Sequence, residues 1–384
     1  MAQWNRVPLI DYIELIGGGT PKTTVPEYWN GNIPWLSVKD FNNDKRYVYS
    51  TEKHISQSGF ENSPTKMLHK DDIIISARGT VGEIAMIPFD MAFNQSCYGI
   101  RASRGIDQPF LYYLLKNCIS QLKRMTHGSV FDTITRDTFA NIEVDIPDAE
   151  TQKRISSVLA DIDNKIEVND AINDNLQQQA AALFSSLYDR SNTEVRFTDL
   201  IQILGGGTPK TGENTYWNGN IAFFTPKDVG TPYTLITEKT ISKEGLSHCN
   251  SRLYPVNTVF VTARGTVGKV GMSGVPMAMN QSCYALVGKE THQLLVYFYT
   301  LKAVDRLKHK ASGAVFDAIT TRDFESEQIM KLSDDDATAF LRVAEPMFQE
   351  VLNNNIENLR LSTLRDSLLP KLMSGEIDVS TVQL

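Results

Sequence analysis

Cysteine is scarce in this sequence. The 384 residues contain four, Cys97, Cys118, Cys249 and Cys283, and no two are spaced as C-x-x-C. That argues against a zinc site and against dithiol chemistry, and reduced thiols in a cytoplasmic protein are the simple expectation. No run approaches eighteen uninterrupted apolar residues, so no membrane span is expected. Met1–Arg6 lacks the charged stretch and apolar core that a secretory signal needs, and none is expected here.

Motifs of catalysis are missing as well. There is no H-E-x-x-H, no G-x-x-x-x-G-K-[ST], and no G-x-G-x-x-G set between a strand and a helix. The Asn/Asp-Pro-Pro-aromatic block of an amino-methyltransferase is also absent. Pro147-Asp148 with Glu150 and Lys153 bears a faint likeness to a nuclease motif, but the spacing is wrong. The segment opens a long helix, where acids are favoured by the helix dipole. Asn94-Gln95-Ser96-Cys97-Tyr98 invites a thiol nucleophile, yet no His stands at a matching place in both copies of that block to activate it. A buried structural cysteine is expected. The chain is read as non-catalytic, with no cofactor and no metal.

A large excess of one charge is absent too. The net charge is −7, from 38 Lys and Arg against 45 Asp and Glu. Residues 150–190 hold seven acids and four bases, and residues 334–384 hold nine acids and four bases. The remainder is close to neutral, which leaves nucleic-acid contact open. Hydrophobic content of 41% and charged content of 22% are ordinary for a soluble globular chain. The length suits two or three domains.

What the sequence does contain is itself, twice. Gly17-Gly18-Gly19-Thr20-Pro21-Lys22 returns as Gly205-Gly206-Gly207-Thr208-Pro209-Lys210, and Tyr28-Trp29-Asn30-Gly31-Asn32-Ile33 returns as Tyr216-Trp217-Asn218-Gly219-Asn220-Ile221. Ala77-Arg78-Gly79-Thr80-Val81-Gly82 returns at 263–268, Asn94–Tyr98 at 280–284, and Gly128-Ser129-Val130-Phe131-Asp132 as Gly313-Ala314-Val315-Phe316-Asp317. The offset drifts only from 188 to 185, as small loop deletions would produce. So long a period means two copies of a whole domain.

Within each copy, short β-rich runs alternate with turn residues. Asp72–Ala77 and Thr258–Ala263 read as buried strands ending at Arg-Gly, and Asn-Gly within Tyr-Trp-Asn-Gly reads as a tight turn. Residues 109–125 and 291–309 read as helices, the first with Phe110, Leu111, Leu114, Leu115 and Leu122 at helical spacing.

Each copy is followed by a different kind of segment. Ala149–Leu187 has neither Pro nor Gly. Ile155, Leu159, Ile162, Ile166, Asn169, Asn173, Leu176, Ala180, Leu183 and Leu187 alternate spacings of four and three, a heptad stripe with polar interruptions. The second segment carries Phe340, Ala344, Phe348, Leu352, Ile356 and Leu359 on one face, continuing through Leu364 and Leu368 to Pro370. Neither helix can bury its stripe alone, so the two are expected to pack on each other, antiparallel, with a globular module at each end.

These blocks, in this order and largely seen twice, resemble the DNA-specificity subunits of type I restriction-modification systems. The carriers are Gly-Gly-Thr-Pro-Lys, Tyr28–Trp35, Lys39-Asp40, Ala-Arg-Gly-Thr-Val-Gly, Ile134-Thr135-Arg136-Asp137 and Ile146-Pro147. Gln152-Lys153-Arg154-Ile155 and Leu159–Asp163 complete the set. The family's double proline and Glu-Gln ahead of the first long helix are replaced by Pro147–Gln152, and in the second copy by Met330–Asp336. A differently opened second helix is expected from that departure.

The resemblance implies an α+β fold with two similar target-recognition domains, at residues 1–148 and 191–333. A central spacer helix at 149–190 and a distal helix and tail at 334–384 form an antiparallel coiled coil, pseudo-twofold symmetric. It implies that each domain reads half of a bipartite double-stranded DNA site. The helices then set the gap and dock methyltransferase subunits, two in number, and through them an endonuclease or translocase subunit. Lys22, Lys39, Arg78 and Arg136, with their counterparts Lys210, Lys227, Arg264 and Arg322, are the expected DNA contacts. Arg78 and Arg264 could equally pair with an internal acid such as Asp132 or Asp317, and Gly79, Gly82, Gly265 and Gly268 more simply shape turns. Segments that differ between copies, such as Asn42–Arg46 against Gly230–Tyr233, are candidates for base reading. The expected spacer and partner-docking positions are Ile155, Leu159, Ile162, Ile166, Leu176, Leu183, Phe348, Leu352, Ile356 and Leu359. A protein-binding scaffold with duplicated modules is the alternative reading.

Overall fold

The computed structural model describes residues 4–126, 133–230, 232–310 and 318–379. The chain forms two compact units, one of residues 1–166 with 360–384 and the other of residues 167–359.

In the first unit, a four-stranded antiparallel sheet runs in the order Ile13–Gly17, Cys97–Ala102, Ile73–Ser76, Ile84–Met86. Ile73, Ile74 and Ile75 are fully buried, as their continuous β-branched run requires. One face of this sheet receives the Gln108–Thr126 helix. The other face meets a second sheet, ordered Lys53–Ile55, Trp29–Leu36, Met91–Phe93, Met67–Leu68, over a core of Leu36, Phe41, Leu68, Ile74 and Phe93. Asn5–Pro8 pairs antiparallel with Glu143–Ile146, so the module closes its own ends together before the first long helix starts.

The second unit repeats this plan. Ile201–Gly205, Cys283–Gly288, Val259–Thr262, Val270–Ser273 and Tyr233–Thr234 make a five-stranded sheet, covered by the Gln293–Lys310 helix. Lys239–Ile241, Trp217–Phe224 and Met277–Met279 form the smaller sheet, and Thr193–Arg196 closes against Gln328–Lys331. Both helices expected from periodicity are thus present.

The Asn-Gly pairs do something other than make a hairpin turn. Asn30 and Asn218 have φ of 59° and 58° and lie inside strands. The partner strand's register there jumps from Trp29 to Ile33 and from Trp217 to Ile221, a bulge rather than a turn. Gly31 and Gly219 lie against the backbone of Ser56 and Ser242, where a Cβ would not fit.

The long helices run Ala149–Arg190 and Asp334–Met373, 42 and 40 residues. Each begins on a side-chain cap. Asp148 accepts from the Thr151 amide at 2.9 Å, and the Ser333 hydroxyl accepts from the Asp336 amide at 3.1 Å. The sequences ahead of the two helices differ, yet the caps match. Within the second unit the helices run antiparallel, for Asn169 bonds Asn358 while Asn173 bonds Asn354. Besides the apolar contact of Phe184 with Phe340, they meet there in a layer of amides: Asn169 and Asn173 are buried, and Asn173 also donates to Asn355 at 2.9 Å. Within the first unit, Ile155 and Leu159 share one core with Leu369, Leu372 and Met373.

The stripe differs in detail from its sequence pattern. Ile155, Leu159, Phe348 and Leu352 are buried, whereas Ile162, Ile166, Leu176, Leu183, Ile356 and Leu359 are half-buried. Phe184 rather than Leu183 enters the core, stacked on Phe298 at 4.9 Å between centroids. Leu364 is 47% exposed, and Arg365 takes the inward position. The second helix also continues past Pro370, to Met373. These shifts share a cause. The helices pack on modules as well as on each other, so the buried face is wider than a two-helix seam.

Candidate nucleic-acid interface

In both modules one set of loops gathers the repeated residues. The strand Ile73–Ser76 ends in a turn where Gly79 and Gly82 hold φ of 77° and 84°, values that favour glycine. Gly265 and Gly268 do the same at 83° and 74°. The turn is anchored by backbone bonds. The Ser96 carbonyl accepts from the Ala77 and Arg78 amides at 2.8 and 3.2 Å, and the Ser282 carbonyl from Ala263 and Arg264 at 2.8 and 3.3 Å. Arg78 and Arg264 leave this turn exposed. The glycines therefore build the turn, and the arginines project from it. Asp132 and Asp317, the acids considered as their partners, lie outside the described residues.

The Gly-Gly-Thr-Pro-Lys segment lies against the same loop. Gly18 and Gly206 touch the Asn94 and Asn280 carbonyls so closely that neither has room for a Cβ. The Thr20 hydroxyl bonds the Gln95 side chain, and Thr208 bonds Gln281. The indole N–H of Trp29 donates to the Lys22 carbonyl at 3.3 Å, and that of Trp217 to Lys210 at 3.2 Å. Both lysine side chains are exposed.

Lys39 and Lys227 each precede an aspartate that is fully occupied. Asp40 accepts from the Ser37 amide at 2.7 Å and the Glu52 amide at 2.8 Å; Asp228 accepts from Thr225 and Glu238, both at 2.7 Å. The aspartates fix the loop and leave the lysines outward. Lys227 stands 3.5 Å from Glu238 at the surface. In the second module Lys227, Lys239, Arg264, Asn280 and Ser282 line one open cleft. Two of the expected contacts, Lys227 and Arg264, are thus brought together with a third cation, Lys239, that is not among them. Lys239 lies over the Trp217 ring at 5.7 Å, and its counterpart Lys53 lies over Trp29 at the same distance. Its signal in the sequence is a further repeated block: Glu52-Lys53-x-Ile55-Ser56 returns as Glu238-Lys239-x-Ile241-Ser242.

The remaining pair divides. Both arginines are exposed, but Arg136 donates to the Leu15 carbonyl at 2.9 Å and so braces the first sheet. Asn42–Arg46, considered for base reading, is tied inward at two points. Asp44 pairs with Lys116 at 2.8 Å and Arg365 at 2.9 Å, and Arg46 donates to Asn164 at 3.1 Å.

The repeated cysteines are structural. Cys97 and Cys283 are buried, and burial pushes each thiol up to about 12, with Asp40 or Asp228 adding to the effect. Among the described residues no group of His, Cys, Asp and Glu is placed to hold a metal, and no helix is long and apolar enough to cross a membrane.

The comparisons with known proteins agree over almost the whole chain. A family model described as the type I restriction modification DNA specificity domain matches residues 1–178 and again 190–331. The specificity subunit of the type I restriction enzyme MjaIX of Methanocaldococcus jannaschii is 24% identical over 406 residues, 98% of this chain and 94% of that one. The HindI specificity subunit of Haemophilus influenzae is 25% identical over 354 residues, covering 70% and 77%. The crystal structure of a type I system S subunit from M. genitalium shares the fold, with a TM-score of 0.59 at 14% identity over 97% of this chain and 96% of that one. Matched by the same family model once in each repeat, the chain belongs to the type I restriction-modification DNA-specificity family.

Proposed function

We propose that this chain reads a two-part DNA site, one half with each module, for a cytoplasmic multi-subunit restriction-modification enzyme, and performs no catalytic step itself. The observation that carries the reading is the doubled basic surface. The same exposed Lys and Arg residues return on the same anchored turns in both modules, while the repeated thiols are buried and inert. The functional division would be 1–148 and 191–333 for recognition, with 149–190 and 334–384 as spacer.

Lys227, Lys239 and Arg264, and likewise Lys39, Lys53 and Arg78, suit phosphate contacts that fix position on the duplex. Lys22, Lys210 and Arg322 would add to them. The amides of Asn94, Gln95, Asn280 and Gln281 beside these cations suit base edges. Since both modules present like residues, related half-sequences in inverted orientation are expected. A bundle of rigid helices suits a spacer, because half-sites on one DNA face lie about 34–36 Å apart. One heptad corresponds to about 10 Å, or about three base pairs. Ile155, Leu159, Phe348 and Leu352 hold the pair together from inside. Two methyltransferase subunits, and through them an endonuclease subunit, would meet its outer face, where Val168 and Ile172 are exposed one turn apart.

The test is a long-read methylome of cells carrying the chain with a methyltransferase partner, against cells lacking the chain. One bipartite methylated motif should appear, with a fixed gap that lengthens by about three base pairs when a heptad is inserted near Asn173. Unchanged methylation in cells where the complex assembles would sink the reading.

A further inference from the structure

The two modules are joined to their helices by opposite chemistries. In the first unit the joint is ionic. Arg365 donates to Asp163 at 2.8 Å and to Asp44 at 2.9 Å, and the Tyr113 hydroxyl donates to Asp163 at 2.7 Å. Lys116 holds Asp44, and Arg46 holds Asn164. In the second unit the joint is aromatic. Phe348 sits 5.5 Å from Phe298, 5.7 Å from Tyr297 and 6.5 Å from Tyr233, in one core with the buried Ala180.

The repeat places these joints at equivalent positions. An offset of 185 takes Asp163 to Phe348, Tyr113 to Phe298, Lys116 to Leu301 and Ala180 to Arg365. An offset of 186 takes Asp44 to Gly230 and Arg46 to Pro232. The hydrogen bonds support the second alignment, for Tyr47 donates to Asp71 at 3.1 Å and Tyr233, one repeat on, donates to Asn257 at 3.0 Å. So the same socket is charged in one unit and aromatic in the other.

We propose that these joints are keys: each module seats only on its own helix ends, and Asp163 and Arg365, with Asp44 and Tyr113, decide which module takes the first position. With the second module on the first helix ends, Phe298 would replace one of the two donors to Asp163, and Gly230 would replace one of the three carboxylates on Arg365. With the first module on the second helix ends, the Tyr113 hydroxyl would face Phe348, and Arg46 would meet Gln349 in place of Asn164. Each exchange leaves buried polar or charged groups short of partners, which costs more than a matched ionic or a matched apolar joint. The key is independent of what the modules bind.

The experiment compares full-length chains by scanning calorimetry. In a chimera, residues 193–331 replace residues 5–146, so that the second module occupies both positions. Its first unit should melt lower than that of the parent, by about 5 °C or more. Asp163→Phe with Arg365→Ala should raise the melting temperature of the chimera and lower that of the parent. A second comparison stays within the parent sequence. Asp44→Gly, Tyr113→Phe and Lys116→Leu, added to Asp163→Phe and Arg365→Ala, should melt above the two-residue variant despite carrying more changes. Shifts of the same sign in chimera and parent would overturn the proposal, as would a chimera that folds with neither set of helix residues, since the converted joint matches its module.

Discussion

Arg365 and Asp163 form an ion pair at 2.8 Å with both side chains only 4% exposed, at a level of the helices where the sequence pattern leads one to expect leucine. Losing Asp163 leaves the buried guanidinium with Asp44 and Asp366 alone and takes the acceptor from the Tyr113 hydroxyl. Asp163→Ala should cost about 3 kcal/mol in urea unfolding. Asp44→Ala, whose carboxylate is largely at the surface, should cost well under half of that, about 0.5–1 kcal/mol, and lose the effect in high salt.

The same cluster sets a pH dependence. Burial alone would raise the Asp44 carboxyl, but Lys116 and Arg365 more than offset it and hold it below its ordinary value. A depressed carboxyl contributes stability that is complete above its unfolded value, about 3.9, and is lost as pH falls through the folded value. The stability difference between parent and Asp44→Asn should therefore be constant above about pH 5 and shrink below about pH 4. A difference that grows on acidification would contradict this charge assignment.

Phosphate contact has its own signature. In the assembled complex, Lys239→Ala or Arg264→Ala should weaken DNA binding and reduce the slope of log affinity against log salt by about one each. Arg136→Ala should instead lower the melting temperature and leave the slope alone, because its guanidinium is engaged by the Leu15 carbonyl. Fluorescence anisotropy across a salt series reads both.

Adjacent glycines should behave differently. A Cβ on Gly206 would collide with the Asn280 carbonyl, whereas nothing lies within 4 Å of one on Gly205. Gly206→Ala should lose about 1–3 kcal/mol and Gly205→Ala far less. Equal melting temperatures for the two variants would show that the Gly-rich segment does not lie on the Asn280 loop.

Much of this architecture could be read from the sequence, for reasons visible in particular residues. The repeat is a matter of identity, and long runs without Pro or Gly announce the helices. The Ile73–Ile75 run announces a buried strand. Other features depend on tertiary context. Asn30-Gly31 satisfies the requirements of a tight turn equally well when it makes a bulge, and only the strand beside it decides. Leu364 and Arg365 exchange their expected sides because Asp163 and Asp44 await the guanidinium, and those two lie about 200 and 320 positions away in sequence. Lys53 and Lys239 lay within a recognisable repeated block, but nothing local marks a lysine that will rest over an indole.

The amide layer has a consequence of its own. Under the 185-residue offset Asn169 becomes Asn354 and Asn173 becomes Asn358, so the bond from Asn169 to Asn358 and the bond from Asn354 to Asn173 are images of one another. A leucine seam prised apart bares oil, and water has no substitute to offer. An amide seam prised apart bares donors and acceptors that water can satisfy at once. The midpoint of these helices can therefore breathe without becoming sticky, as a zip opened halfway still hangs from both ends.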